Sequence, residues 1–102
     1  MVKKYTKASQ KDAARQELKK TDPVVVRFYK ATCPACQASE PQWKEFCKQT
    51  KYRTVAIEEE AIPDEILIHI KAFPTYAKHD TKGNHHVIGV QDDLASALGL
   101  KD

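Results

Sequence analysis

The sequence has no apolar run that approaches the roughly 20 residues needed to cross a membrane as a helix. Its N-terminal stretch, VKKYTKASQKDAARQ, has no apolar segment after the lysines and so lacks the pattern of a secretory signal peptide. Three cysteines are too few, and odd in number, for a disulfide framework. These absences predict a cytoplasmic protein with no membrane anchor and no disulfide scaffold.

An excess of charge of one sign is also missing. The sequence has 17 Lys+Arg against 14 Asp+Glu, a net charge of +3, which is too weak to indicate a nucleic-acid partner. The basic residues near the N-terminus alternate with polar ones at helical spacing, which favours a solvated helix face over an anion-binding arm. Repeats and interdomain linkers are absent, so we expect one domain over residues 1–102, acting as a monomer.

The first half of the chain predicts two helices around a buried strand. A capping box at Ser9–Asp12 is expected to open a helix that must end before Pro23. Residues 24–29, VVVRFY, form a short apolar and β-branched run, typical of a strand buried on both faces in a parallel sheet. Residues 34 to about 50 predict a helix that begins at Pro34 and should be kinked by Pro41. One face of this helix carries Cys36, Trp43, Phe46 and Cys47.

The second half predicts shorter elements. Residues 53–57 predict a second strand, which completes a strand–helix–strand unit. Residues 63–71 fit either a strand or a helix, and the acidic first turn favours a helix. A hairpin is expected from strands at 75–79 and 85–90 around a turn at 80–84, followed by a helix from about residue 91. With a short strand at 2–6, this pattern predicts an α/β fold around a central sheet.

Cys33 and Cys36 lie in the segment CPAC, where the buried strand ends and the helix begins. Unpaired backbone N–H groups and the helix dipole stabilise a thiolate at this place and lower the pKa of the thiol. The i, i+3 spacing brings the two sulfur atoms together on one helical turn. The pattern therefore indicates a redox pair, in which Cys33 is the outer, reactive residue and Cys36 the shielded one.

Two alternatives to a redox pair are a metal site and a pair of buried structural thiols. A zinc site needs about four ligands, and this segment supplies two. Cys47 lies three turns along the helix, roughly 16 Å away by helical rise, and so cannot join them. His85 and His86 are adjacent on a predicted strand and point to opposite faces. We therefore expect no metal, and Cys47 is expected to be a small core residue beside Trp43.

At these residues the sequence resembles the thioredoxin superfamily over most of its length. The features that carry the resemblance are the strand VVVRFY followed by CPAC, Pro41 in the helix, the segment Ala72–Thr75, Gly83 in the hairpin turn and the strand at 87–90. The active-site helix is especially similar to that of the thioredoxin-related transmembrane branch and of protein disulfide isomerases. The resemblance implies a thioredoxin fold, with a central mixed β-sheet of four to five strands flanked by helices on both faces.

The resemblance also implies a role for each matching residue. Cys33 would attack a disulfide and Cys36 would resolve the mixed disulfide, so that a Cys33–Cys36 disulfide is the redox-active group. The Phe73–Pro74 bond would be cis, Pro74 would press against this disulfide, and the backbone of Phe73 would pair with an extended substrate. Thr32 would belong to the same docking surface.

Three departures from the family pattern concern residues around the cysteines. Thr32 stands where thioredoxins usually carry Trp, which makes the docking rim smaller and more polar. Pro34-Ala35 replaces Gly-Pro, and a proline after the first cysteine is similar to glutaredoxins. Residues 88–94 resemble the segment with which glutaredoxins hold glutathione, but Val90 replaces a glycine there.

The largest departure is Arg27, which stands where the family has a buried Asp or Glu beneath the second cysteine. A guanidinium cannot act as a base, and a buried one needs an acidic partner. Glu58 or Glu59 at the end of the neighbouring strand is the predicted partner. In one hypothesis Arg27 keeps Cys36 partly ionised and makes the disulfide more oxidising. In the other, the guanidinium reaches the surface and its stem only packs.

The function predicted from the sequence is a thiol–disulfide oxidoreductase that acts on protein or small-thiol disulfides. It would need no bound metal, nucleotide or organic cofactor, and would receive electrons from an unidentified reductase or from glutathione. Two alternatives are a glutaredoxin-like, glutathione-dependent oxidoreductase and a thioredoxin-like protein-binding module with incidental redox activity.

Overall fold

The structure is a computed structural model that describes residues 2–81 and 83–100. Its strands are β1 (Val2–Tyr5), β2 (Val24–Tyr29), β3 (Arg53–Glu58), β4 (Thr75–Asp80) and β5 (Gly83–Ile88). Its α-helices are α1 (Lys11–Leu18), α2 (Pro34–Gln49), α3 (Asp64–Leu67) and α4 (Leu94–Ala97), and 3₁₀ turns occupy Ala8–Gln10 and Glu59–Ala61. Within the described ranges, no helix is both long enough and apolar enough to span a membrane.

The five strands form one mixed sheet in the order β1-β3-β2-β4-β5. The strands β1, β3 and β2 are parallel, whereas β4 pairs antiparallel with β2 and β5 pairs antiparallel with β4. The strand β2 is therefore central, and residues Val24 to Phe28 are all buried. This confirms that VVVRFY is a strand buried on both faces, although one of its two neighbours is antiparallel.

Alternate residues of β2 pack into two separate clusters, one on each face of the sheet. On one face, Val24, Val26 and Phe28 pack with Ala14 of α1, and Ile66 and Leu67 of α3 cover this cluster. On the other face, Val25 packs in a cluster that also contains Trp43, Phe46, Tyr76, Leu94 and Leu98. The helices α2 and α4 cover this second face. Helices thus lie on both faces, as the α/β prediction requires.

The first helix begins differently from the sequence prediction. It starts at Lys11 after the 3₁₀ turn Ala8–Gln10, and Ser9 is not its cap. The side chain of Gln10 reaches back instead, and its Oε1 accepts hydrogen bonds from the backbone N–H groups of Thr6 (2.9 Å) and Lys7 (3.1 Å). The predicted capping box was wrong: α1 has no side-chain cap, and the Gln10 side chain closes the 3₁₀ turn that precedes the helix.

The helix predicted over 63–71 is limited to Asp64–Leu67. The helical stripe itself was correctly identified, since Ile66, Leu67 and Ile70 pack against the first cluster. Beyond Leu67 the chain continues in tight i to i+3 turns, in which the N–H of Ile70 donates to the carbonyl of Leu67 at 3.1 Å. Ile68 consequently points outward and is 77% exposed.

The hairpin is tighter than predicted and shifted toward the N-terminus. The strand β4 continues to Asp80 and β5 begins at Gly83, whose positive φ of 119° favours glycine. The strand β5 also ends at Ile88 rather than at 90, because Gly89 (φ 88°) turns the chain and donates its N–H to the Pro74 carbonyl at 2.7 Å. The last helix begins at Leu94 rather than 91, with Asp93 as its side-chain cap.

Candidate active site

Cys33 and Cys36 lie at the predicted junction between β2 and α2. Cys33 is the N-cap residue of α2, with extended backbone angles, and Pro34 occupies the first turn. The N–H of Cys33 donates to the Lys30 carbonyl at 3.0 Å and closes the turn that leads out of β2. Both cysteines are free thiols in the structure.

The two thiols differ in exposure and in acidity. Cys33 is half-buried, and its pKa is lowered, first by a hydrogen bond from the backbone N–H of Cys36 and further by the Cys36 thiol and the charge of Lys30. Cys36 is 2% exposed, and burial raises its pKa above the ordinary value. The Cys33 thiol is therefore the better nucleophile at neutral pH, and the Cys36 thiol holds its proton.

Cys33 faces the loop before β4, which contains Phe73 and Pro74. The peptide bond between these two residues is cis, as the resemblance implied. The Cys33 thiol donates to the Phe73 carbonyl oxygen, with an S···O distance of 3.8 Å. Pro74 is buried and Phe73 is half-buried. The loop thus brings the Phe73 carbonyl oxygen next to the more acidic sulfur.

The structure also shows the exposure of Thr32, Pro41 and Cys47, which the sequence analysis singled out. Thr32 is exposed in the turn before Cys33. Pro41 lies inside α2 and faces solvent. Cys47 is half-buried against the second cluster, which agrees with a core position, and burial raises its pKa. Among residues 2–81 and 83–100, no group of three or more His, Cys, Asp or Glu side chains could hold a metal ion.

Arg27 is buried beneath the N-terminal part of α2, with 1% of its surface exposed. Its Nη1 donates to Glu40 Oε2 at 2.6 Å, and its Nη2 donates to the Cys36 carbonyl at 2.7 Å and to Ser39 Oγ at 3.1 Å. The guanidinium carbon also lies 5.0 Å from the centre of the Tyr29 ring. Arg27 therefore connects the sheet to the backbone of Cys36.

The alternative that the guanidinium of Arg27 reaches the surface and the predicted acidic partner of Arg27 are both wrong. The guanidinium does not reach the surface, and its partner is neither Glu58 nor Glu59. Glu58 accepts backbone N–H groups instead, from Ala31 at 3.2 Å and from Glu60 at 2.8 Å, and the Glu59 carboxylate lies 3.9 Å from Lys30. The prediction was wrong because Arg27 points to the α2 side of the sheet rather than along the neighbouring strand.

The charge of Arg27 acts on the pKa of Cys36 in the predicted direction but is not the largest influence on it. Burial dominates and raises the pKa of Cys36, while the charge of Arg27 lowers it by less. That Arg27 keeps this thiol partly ionised stays a prediction, since its charge acts in the predicted direction against a larger effect of burial.

Sequence reasoning missed Ser39 and Glu40 entirely. They lie three and four residues after Cys36, and residues at this spacing share a helix face. Ser39 is 1% exposed, which places a small polar residue in the buried stripe of α2. That spacing was the available signal. A pocket of about 330 Å³ lies beside the same face and is lined by Tyr29, Lys30, Ala31, Cys36, Gln37 and Glu40.

The mixed five-stranded sheet with helices on both faces defines a thioredoxin fold. A model of the family described as Thioredoxin matches residues 5–98, so the chain belongs to the thioredoxin family. The resemblance inferred from the sequence is confirmed. None of the curated proteins compared with the chain matches it significantly.

Solved thioredoxin structures are similar in fold at low sequence identity. Thioredoxin f from spinach chloroplast is 15% identical, with 99% of this chain and 94% of that chain covered and a TM-score of 0.70. Thioredoxin f2 of Chlamydomonas reinhardtii is 22% identical, with 96% and 93% covered and a TM-score of 0.68. Mitochondrial thioredoxin 3 of Saccharomyces cerevisiae is 22% identical, with 88% and 85% covered and a TM-score of 0.66.

Proposed function

We propose that this chain is a thiol–disulfide oxidoreductase that uses Cys33 and Cys36 as its redox pair. The observation that carries the proposal is the contrast between the two thiols. Cys33 is accessible and has a lowered pKa. Cys36, three residues later on the same helix, is buried and has a raised pKa. This contrast suits the Cys33 sulfur to attack the substrate disulfide and the Cys36 sulfur to resolve the mixed disulfide afterwards.

The reaction consists of two balanced exchange steps. The Cys33 thiolate attacks one sulfur of a substrate disulfide, which forms a Cys33–substrate disulfide and releases the other substrate sulfur as a thiolate. Cys36 then loses its proton and attacks the Cys33 sulfur. The Cys33–Cys36 disulfide forms, the second substrate thiolate leaves, and two electrons have passed to the substrate.

Thr32, Phe73 and Pro74 are the proposed docking residues for an extended protein substrate. The Phe73 carbonyl is supported as part of this surface by its distance of 3.8 Å from the Cys33 sulfur. The electron donor would be a reductase or glutathione. A single domain over 1–102, a monomeric state and a cytoplasmic location stay predictions, and the similar structures include chloroplast and mitochondrial thioredoxins.

Reduction of insulin by dithiothreitol tests the proposal. The wild type should accelerate the reaction, Cys33→Ser should abolish the acceleration, and Cys47→Ser is the matched control that should retain it. A wild type that turns over glutathione mixed disulfides but not insulin would support the glutaredoxin-like alternative. A wild type that binds reduced and oxidised partners equally, without catalysis, would favour a binding module and contradict the proposal.

A further inference from the structure

The resolving step depends on a thiol that is poorly suited to it. Cys36 must become a thiolate before it can attack the Cys33 sulfur. It is nevertheless 2% exposed, and burial raises its pKa. Burial has the largest effect on this pKa, and the charges near the sulfur change how often the reactive form is present.

One such charge is the guanidinium of Arg27. It is held against Cys36 by the hydrogen bond from Nη2 to the Cys36 carbonyl at 2.7 Å. A positive charge in a buried position stabilises a nearby thiolate, and it acts with less screening than it would in water. The Cys36 thiol also faces the backbone N–H of Lys30, at 3.5 Å from its sulfur.

Glu40 counters this charge. Its Oε2 lies 2.6 Å from Arg27 Nη1, and its side chain is 34% exposed while that of Arg27 is 1% exposed. The pair is thus a buried cation neutralised by an anion that reaches solvent. Cys36 and Glu40 are four residues apart on α2 and line the same pocket.

We propose that Glu40 restrains the resolving step: its carboxylate neutralises the Arg27 guanidinium, which would otherwise stabilise the Cys36 thiolate, and so prolongs the mixed disulfide at Cys33. This inference rests on the proposed function and identifies Glu40 and Arg27 as positioning residues that act through Cys36. In the step concerned, the Cys36 proton goes to solvent, the Cys36–Cys33 bond forms, and the substrate sulfur leaves with the electron pair of the broken bond.

Other titratable groups also face this site, and their effects oppose one another. The pKa of Tyr29 is raised, first by burial and then by the charges of Glu58 and Glu40, so this phenol is neutral near pH 7. In the mixed disulfide, Cys33 carries no charge. The titratable groups that act on Cys36 or line the pocket beside it are Arg27 and Tyr29 of β2, Lys30 in the turn that follows, Cys33 at the start of α2 and Glu40 within α2. Glu58 of β3 contacts the same turn through the N–H of Ala31.

The test follows single-turnover reduction of dithiobis(nitrobenzoate) by a molar excess of protein, in a Cys47→Ala background. Cys33 releases the first nitrothiobenzoate in a fast phase, and Cys36 releases the second in the resolving phase. The resolving rate is measured across neutral and mildly alkaline pH. Glu40→Gln keeps an oxygen that can accept from Arg27 but removes the charge. Glu45→Gln, which lies on an exposed position of the same helix, is the matched control.

In Glu40→Gln, the resolving phase should accelerate and its pH midpoint should move to lower pH. Each tenfold gain in thiolate should speed this phase about threefold, because nucleophilicity falls as the pKa falls. Glu40→Asp should restore wild-type behaviour, and Glu45→Gln should not differ from the background. Arg27→Met should slow the resolving phase, and adding Glu40→Gln to it should produce no acceleration.

An unchanged or slower resolving phase in Glu40→Gln overturns the inference, and slowing would identify Glu40 as a proton acceptor instead. If Glu40→Gln does not fold, Arg27→Met decides, since wild-type resolution in that variant contradicts any role for the pair. Failure of the proposed function has a different signature. If the proposed function is wrong, the wild type itself shows no fast phase, and the inference about Glu40 is then wrong as well.

Discussion

Glu40→Ala removes the carboxylate that neutralises Arg27 and leaves a guanidinium that is 1% exposed. Arg27→Met removes the buried charge and leaves a carboxylate that is 34% exposed. Although both changes break the same ion pair, they leave different groups behind. We therefore expect Glu40→Ala to destabilise the protein more than Arg27→Met does.

The magnitudes follow from what each variant leaves unpaired. Breaking a buried ion pair by removing one partner costs about 3–5 kcal/mol. Partial exposure of Glu40 and the retained bonds of Arg27 to Cys36 and Ser39 reduce this, so we expect about 2–3 kcal/mol for Glu40→Ala. In Arg27→Met, Ser39 Oγ still donates to the Cys36 carbonyl at 3.1 Å, so both groups keep a partner. With an apolar side chain in place of the ion, the cost should be about 1 kcal/mol or less.

Urea unfolding of the reduced proteins measures the difference. The midpoint concentration should be lowest for Glu40→Ala, with a common slope if the unfolding stays two-state. The exposed Glu45→Ala should lie within about 0.5 kcal/mol of the wild type. If Arg27→Met proves as destabilising as Glu40→Ala, or more so, the hydrogen bonds of the guanidinium rather than its charge balance hold α2 on the sheet, and this reasoning is refuted.

Further predictions concern the acidity of Cys33, the pH dependence of stability and the hairpin. Iodoacetamide should label Cys33 at neutral pH faster than Cys47, because the pKa of Cys33 is lowered and that of Cys47 is raised by burial; equal rates in the folded protein would count against this. Burial would raise the pKa of Glu17, but hydrogen bonds from Tyr5 and Lys3 outweigh it and the pKa is lowered. Its stabilising contribution is therefore present above the unfolded value of about 4.3 and lost as the pH falls through the folded pKa. Acid titration of the unfolding free energy should accordingly show a smaller decline for Glu17→Gln than for the wild type. Gly83→Ala should cost about 1–2 kcal/mol in thermal or urea unfolding, because φ is +119° while no described atom lies within 4 Å of the added Cβ; a neutral result would show that the turn relaxes.

The parts of the fold that the sequence predicts correctly have local causes. The strand β2 follows from an uninterrupted apolar run, and Cys33 sits at the N-terminus of α2 because Pro34 suits a first turn. The ends of other elements depend on contacts that a local pattern does not contain. The strand β5 ends where Gly89 bonds to the Pro74 carbonyl, and α3 stops after Leu67 although its apolar stripe continues to Ile70.

The acidic partner of Arg27 was not predicted correctly from the sequence for a related reason. Proximity to the end of the neighbouring strand suggested Glu58 or Glu59, but alternate residues of a strand face opposite sides of the sheet. Arg27 shares its side with Val25 and therefore meets α2, where Ser39 and Glu40 follow Cys36 at helical spacing. A pattern search that combined strand alternation with helix periodicity would have paired Arg27 with Glu40.

Beneath Cys36 the chain has a basic residue, Arg27, where the family has an acidic one, and this difference affects the resolving step. An acid at the position of Arg27 could take the proton of the resolving thiol, whereas a guanidinium can only stabilise the thiolate after the proton has left. The rate of the second exchange should then rise with the fraction of Cys36 thiolate, although less than in proportion, because nucleophilicity falls as the pKa falls. Since that fraction depends on how completely Glu40 neutralises Arg27, a residue one helical turn from the sulfur would control how long a substrate stays covalently attached.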